Sequence, residues 1–108
     1  MRILFDQGTP VNLKPHLQGH TIKTAYQQGW STLSNGELLR AAESAGFDLL
    51  LTTDQNLVYQ QNLNNRRIAI VALSKNRWSL IQPMLRQVVE AVNMATAGSY
   101  TLVEIAGE

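Results

Sequence analysis

Two runs in this chain are apolar at every position, Leu49-Leu50-Leu51 and Ile68-Ala69-Ile70-Val71-Ala72-Leu73. A strand with one wet face alternates apolar and polar residues, so an unbroken run reads as a strand covered on both faces. Such strands belong to parallel sheets, where crossover connections lay helices against either side. The segments between the runs should then be amphipathic helices. Ser34-Asn35-Gly36-Glu37 has the S-x-x-E pattern of a capping box, followed by the stripe Leu38, Leu39, Ala41, Ala42, Ala45 and a stop at Gly46. Ile81, Met84, Leu85, Val88, Val92 and Ala95 recur at helical spacing in the longest helix, which starts at Ser79 or restarts at Pro83 and ends at Gly98.

The remaining segments complete an alternation of strands and helices. Arg2–Phe5 is a short apolar run that ends in the turn Asp6-Gln7-Gly8. Thr9-Pro10 reads as an N-cap followed by proline at the first helical position, and Pro15 keeps that helix short. His20–Ala25 and Tyr100–Ile105 alternate as edge strands do. Asp54 or Thr53 caps a short helix through Leu57, Val58 and Gln61, and Asn62–Arg67 is a polar loop. Gln27–Leu33 and Ser74–Trp78 are loops as well. The expectation is one three-layer α/β/α domain over residues 1–108. Its mainly parallel five-stranded sheet has strand order 2-1-3-4-5.

Composition narrows the function. The net charge of +1 argues against a protein that binds by bulk positive charge, without excluding a local basic patch. The absence of Cys removes disulfides, Cys-ligated zinc, iron–sulfur clusters and thiol catalysis. No apolar stretch approaches the roughly 20 residues that span a bilayer, and Asp6 arrives too early for a signal peptide. The expected location is the cytoplasm. Glycine-rich phosphate loops and a G-x-S-x-G elbow are absent. His16 and His20 are four apart, but Pro15 and Gly19 interrupt any common helix face that would present them to zinc.

In an open parallel sheet, ligands bind beyond the carboxyl ends of the strands, where the strand order reverses. With the expected order, that point lies between strands one and three, and the residues leaving them are Asp6 and Asp54. Glu37, at the start of the helix feeding strand three, leans over the same edge, and Lys75 and Arg77 leave strand four there. Hard oxygen ligands of this kind select Mg²⁺ or Mn²⁺. The two bases suit flanking phosphates. Each residue also has a purely structural reading: Asp6 as a turn acceptor, Asp54 as an N-cap, Glu37 as the far half of a capping box, Lys75 and Arg77 as ordinary loop charges. Trp30 and Trp78 are core residues or rim aromatics on which a base could stack.

Three stretches resemble small prokaryotic PIN-like proteins, relatives of the VapC-type toxin nucleases. Ile3-Leu4-Phe5-Asp6-Gln7-Gly8-Thr9-Pro10 is similar to the family's strand–Asp–turn–Pro opening. Asn35-Gly36-Glu37-Leu38-Leu39-Arg40-Ala41-Ala42 resembles its acidic helix start, and Leu50-Leu51-Thr52-Thr53-Asp54-Gln55-Asn56-Leu57 resembles its T-x-D-x-D-F segment. The resemblance implies a metal-dependent ribonuclease that acts as the toxin of a toxin–antitoxin pair, with Asp6 and Asp54 on Mg²⁺ or Mn²⁺ and Glu37 as third acid. It also implies RNA as substrate, an antitoxin protein as partner, and a homodimer. The broad apolar face of the long helix and the edge of the last strand are the surfaces that could form the homodimer or accept an antitoxin segment by strand addition. Gln7, Asn35 and Asn56 depart from the family by placing amides where it has carboxylates, which weakens a cation site. The alternative expectation is therefore a degenerate module that binds RNA or a partner without cleavage.

Overall fold

The strand formed by the first unbroken run is buried at every position, and so is the one formed by the second. They sit side by side inside a five-stranded sheet in a computed structural model that describes residues 1–57 and 66–107. The strands are β1 (Arg2–Phe5), β2 (Thr21–Thr24), β3 (Leu49–Thr52), β4 (Ala69–Leu73) and β5 (Tyr100–Val103), and every pairing is parallel. The order is β2-β1-β3-β4-β5, as the alternation of strand types requires. Hydropathy sets this order. β2 alternates exposed and half-buried residues and takes one edge, and β5, with Leu102 exposed, takes the other.

Each face of the sheet has its own apolar layer. Ile3, Phe5, Leu49, Leu51, Val71 and Leu73 point to one face, while Leu4, Leu50, Ile68 and Ile70 point to the other. Helix α1 (Asn35–Ser44) covers the second face with Leu38, Leu39 and Ala42. Its capping box is formed: the Ser34 hydroxyl accepts from the Glu37 amide, and the Glu37 carboxylate accepts from the Ser34 amide at 3.0 Å. The first face is covered by a 3₁₀ helix (Val11–His16) through Leu13, and by the segment between β4 and β5.

Three local expectations are corrected. The helix after β1 is 3₁₀, and Pro10, with φ −63° and ψ 127°, stands at its cap position rather than inside it. Thr9 caps nothing, because its hydroxyl donates to the Leu51 carbonyl at 2.8 Å and holds the turn against β3. The long helix is broken into α2 (Trp78–Ile81), a 3₁₀ turn (Gln82–Met84) and α3 (Leu85–Met94). Pro83 has no amide to donate, and its ring disturbs the preceding turn. α3 ends at Met94, ahead of Gly98, because Ala95 is extended with ψ 139°. Gly98 serves the following turn, where φ is +75° and a Cβ would lie 2.7 Å from the Arg66 carbonyl oxygen. The short helix expected through Val58 and Gln61, and most of the polar loop after it, lie outside the described residues.

The two connections that cross the first face differ in hand. β1 to β2 steps outward to one edge and β4 to β5 steps outward to the other, both across the same layer. The β2 to β3 connection crosses the opposite face in the opposite direction and so shares the hand of the first. Such connections are almost always right-handed. One of these two sets therefore runs against the preference. The segment from β4 to β5 is also tied at both sides of the sheet: the Ala106 amide, beyond β5, donates to Met84 Sδ at 3.2 Å, and Asn93 Oδ1 lies 2.8 Å from Nε2 of His20, next to β2.

Candidate active site

Strands β1 and β3 are neighbours in register, Phe5 beside Leu51, so Asp6 emerges level with Thr52. Thr52 is fully buried, and its hydroxyl donates to Asp6 Oδ2 at 2.7 Å. Thr52 Oγ1 in turn accepts from the Asp54 amide at 3.0 Å. One hydroxyl thus ties together the residues that leave the two strands. The turn after β1 lies flat against this point: a Cβ on Gly8 would meet Thr53 Oγ1 at 2.9 Å.

The carboxylates are held by neutral donors. Asp6 Oδ1 accepts from the Gln7 amide at 2.7 Å. Asp54 Oδ2 accepts from Asn35 Nδ2 at 2.9 Å, and its Oδ1 from the Asn56 amide at 2.9 Å. Asn35 opens α1, so the positive end of that helix adjoins Asp54. Both aspartates are half-buried, and neither has a cation partner among the described residues. Each of the four oxygens accepts one hydrogen bond from the described residues, of the two a carboxylate oxygen can take.

The expected site residues separate into groups. Thr52 links the Asp6 carboxylate to the backbone amide of Asp54, while the Asp54 carboxylate is turned to Asn35 and the Asn56 amide. Lys75 and Arg77 follow β4 along the same edge. Gln55 Nε2 reaches across to the Ser74 carbonyl at 3.2 Å and joins the end of β3 to that of β4. Glu37 turns back on Ser34, whose hydrogen bonds hold the Glu37 carboxyl below its ordinary value, with Arg40 adding to the effect. No three His, Asp or Glu side chains are grouped to hold a metal ion among the described residues. The histidines serve elsewhere: His16 stacks on Trp78 with centroids 5.8 Å apart, and His20 bonds to Asn93. Trp30 packs edge-on to Phe47 at 6.1 Å, and Trp78 lies against the core of the first face, so both tryptophans take part in packing.

Sequence reasoning missed Thr52. The signal was present, because a lone hydroxyl closing an otherwise apolar strand must find a partner once buried. It also missed Tyr26, which follows β2 and is 79% exposed.

Two clefts of about 220 and 310 Å³ lie at the opposite, amino edge, sharing Asp48, Arg67 and Ala97. Their two acids are engaged in holding loops: Asp48 accepts from the Arg2 amide, and Glu43 binds Arg66 and the Arg67 amide. The carboxyl edge therefore remains the better candidate, on the chemistry of its groups rather than the size of its hollows. No protein-family model, curated protein or solved structure matches this chain.

Proposed function

We propose that this chain is a PIN-like ribonuclease dependent on Mg²⁺ or Mn²⁺, with Asp6 and Asp54 as the residues that hold the ion. The observation that carries this reading is the Thr52 hydroxyl, which locks two carboxylate-bearing strand ends together at the edge where parallel sheets bind ligands. The residues fit such an ion in kind: they offer oxygen donors only, and Mg²⁺ is commonly held by one or two carboxylates while keeping several waters. When bound, the ion would polarise a phosphodiester and favour deprotonation of an attacking water. The chain's own part is to fix the two carboxylates and to bind the phosphates on either side of the scissile bond through Lys75 and Arg77. Glu37 acts here as a helix cap. By the family resemblance, the protein is the cytoplasmic toxin of a toxin–antitoxin pair and takes an antitoxin protein and a second copy of itself as partners.

A second reading has its own observation. Asn35 donates to Asp54 where the family has a carboxylate, which favours an edge that binds RNA or a partner protein without cleaving it. Titrating Mg²⁺ or Mn²⁺ against a mixed RNA pool separates the two. Metal-dependent cleavage that falls on the order of 100-fold or more in Asp6→Asn supports the nuclease, a loss equivalent to about 3 kcal/mol of transition-state stabilisation. Equal cleavage by the variant and the parent would exclude it, and binding without cleavage would leave the second reading standing.

A further inference from the structure

Four neighbouring strands deliver their last residues to one edge, and the register fixes the order in which those residues stand. Thr24 of β2 lies beside Phe5, Phe5 beside Leu51, and Leu51 beside Val71. Beyond that row come Tyr26 after β2, Asp6 after β1, Asp54 after β3 and Lys75 after β4. The line therefore reads aromatic, acid, acid, base, with Arg77 two residues further on. It is about 14 Å from β2 to β4, at roughly 4.8 Å per strand.

Tyr26 is the unexplained member. A tyrosine normally buries its ring and leaves its hydroxyl wet, yet this one is 79% exposed. No ring contact of Tyr26 is found among the described residues. Its backbone is nevertheless well fixed. The preceding amide, of Ala25, donates to the Phe5 carbonyl at 2.8 Å, and the Tyr26 carbonyl accepts from the Gly29 amide at 3.0 Å. An exposed aromatic on a firmly held turn suits stacking, because only its side chain, and not its backbone, has to be ordered when a flat ligand lands on it.

We propose that Tyr26 is a base-stacking residue for RNA bound across this edge. The strand lies across the ends of β2, β1, β3 and β4, with an unpaired base on Tyr26 and a phosphate at Lys75 and Arg77. The inference rests on the RNA reading above, to which it adds a binding residue. Base–aromatic stacking needs a free base face, which a continuous duplex does not offer. Cations at the other end of the row supply the backbone contacts that stacking lacks.

The test measures binding in EDTA, apart from cleavage, with a labelled non-cleavable single-stranded oligoribonucleotide and the full chain. Tyr26→Ala is expected to bind about 5- to 100-fold more weakly, Tyr26→Phe nearly as well as the parent, and a fully paired duplex poorly. Lys75→Ala is expected to flatten the dependence of log affinity on log salt by about 0.7. If cleavage proves absent while these differences hold, the nuclease reading falls and the stacking role stands. If the RNA is cleaved with the same KM by the parent and Tyr26→Ala, the nuclease stands and the stacking role falls. Failure of the parent to bind the oligoribonucleotide would overturn the proposal. So would unchanged affinity in Tyr26→Ala, and a coincident loss of self-association in light scattering would assign the ring to a contact between copies.

Discussion

The two ends of the sheet use carboxylates in opposite ways. At the amino edge, Glu43 pairs with the Arg66 guanidinium at 2.5 Å and accepts from the Arg67 amide, which fastens the approach to β4 onto the end of α1. At the carboxyl edge, Asp6 and Asp54 are fixed by a hydroxyl, a side-chain amide and backbone amides, with no cation among the described residues. A carboxylate met by a guanidinium has its charge balanced within the fold. One held by neutral donors is fixed in position but keeps its charge for something that arrives later. The contrast separates structural acids from candidate functional ones, although the two clefts described above lie at the amino end.

The strongest way to break this comparison is Thr52→Val, which keeps the shape and removes the one hydroxyl shared by both strand ends. Hydrogen bonds to charged groups contribute about 1.5–3 kcal/mol, so denaturant unfolding should show a loss of that order. RNA cleavage should fall further than the lost stability explains, because Asp6 and Asp54 are no longer locked together. A variant with unchanged cleavage would mean that the lock is only structural. Glu43→Gln is the counterpart at the amino edge and is expected to cost about 1 kcal/mol while leaving RNA cleavage untouched. Loss of cleavage there would erase the distinction between the two ends.

Glu37 supplies the smallest and most specific effect. Its carboxyl sits below its ordinary value in the folded chain, so protons bind the unfolded state more readily. The stabilisation is therefore present above the unfolded value, near 4.5, and is lost as pH falls through the lower folded value. Glu37→Gln should flatten this part of the acid unfolding curve. It should keep the helix cap, since Gln also closes a capping box, and leave cleavage at neutral pH as it was. Reduced cleavage would return Glu37 to the catalytic set.

Fold and site differed in how well they could be read from the residues alone. The sheet order was legible because it follows from hydropathy: Leu49–Leu51 and Ile68–Leu73 have no polar face to offer water, while Thr21–Thr24 does. The break at Pro83 was only half legible, since a proline marks where a helix can restart without saying how far the disturbance spreads. Asp6 and Asp54 were legible as candidates because strand order alone brings their backbones together. The direction in which Glu37 turns was not, because a capping box and a catalytic acid share one sequence pattern. The exposure of Tyr26 was invisible, because it depends on what the neighbouring turns leave uncovered.

The crossing of the first face by α3 has a mechanical consequence. With Met84 gripping the chain beyond β5 and Asn93 gripping His20 beside β2, one brace reaches both margins of the sheet. Peeling either outer strand from the sheet therefore breaks one of these side-chain contacts as well as its ladder with the neighbouring strand.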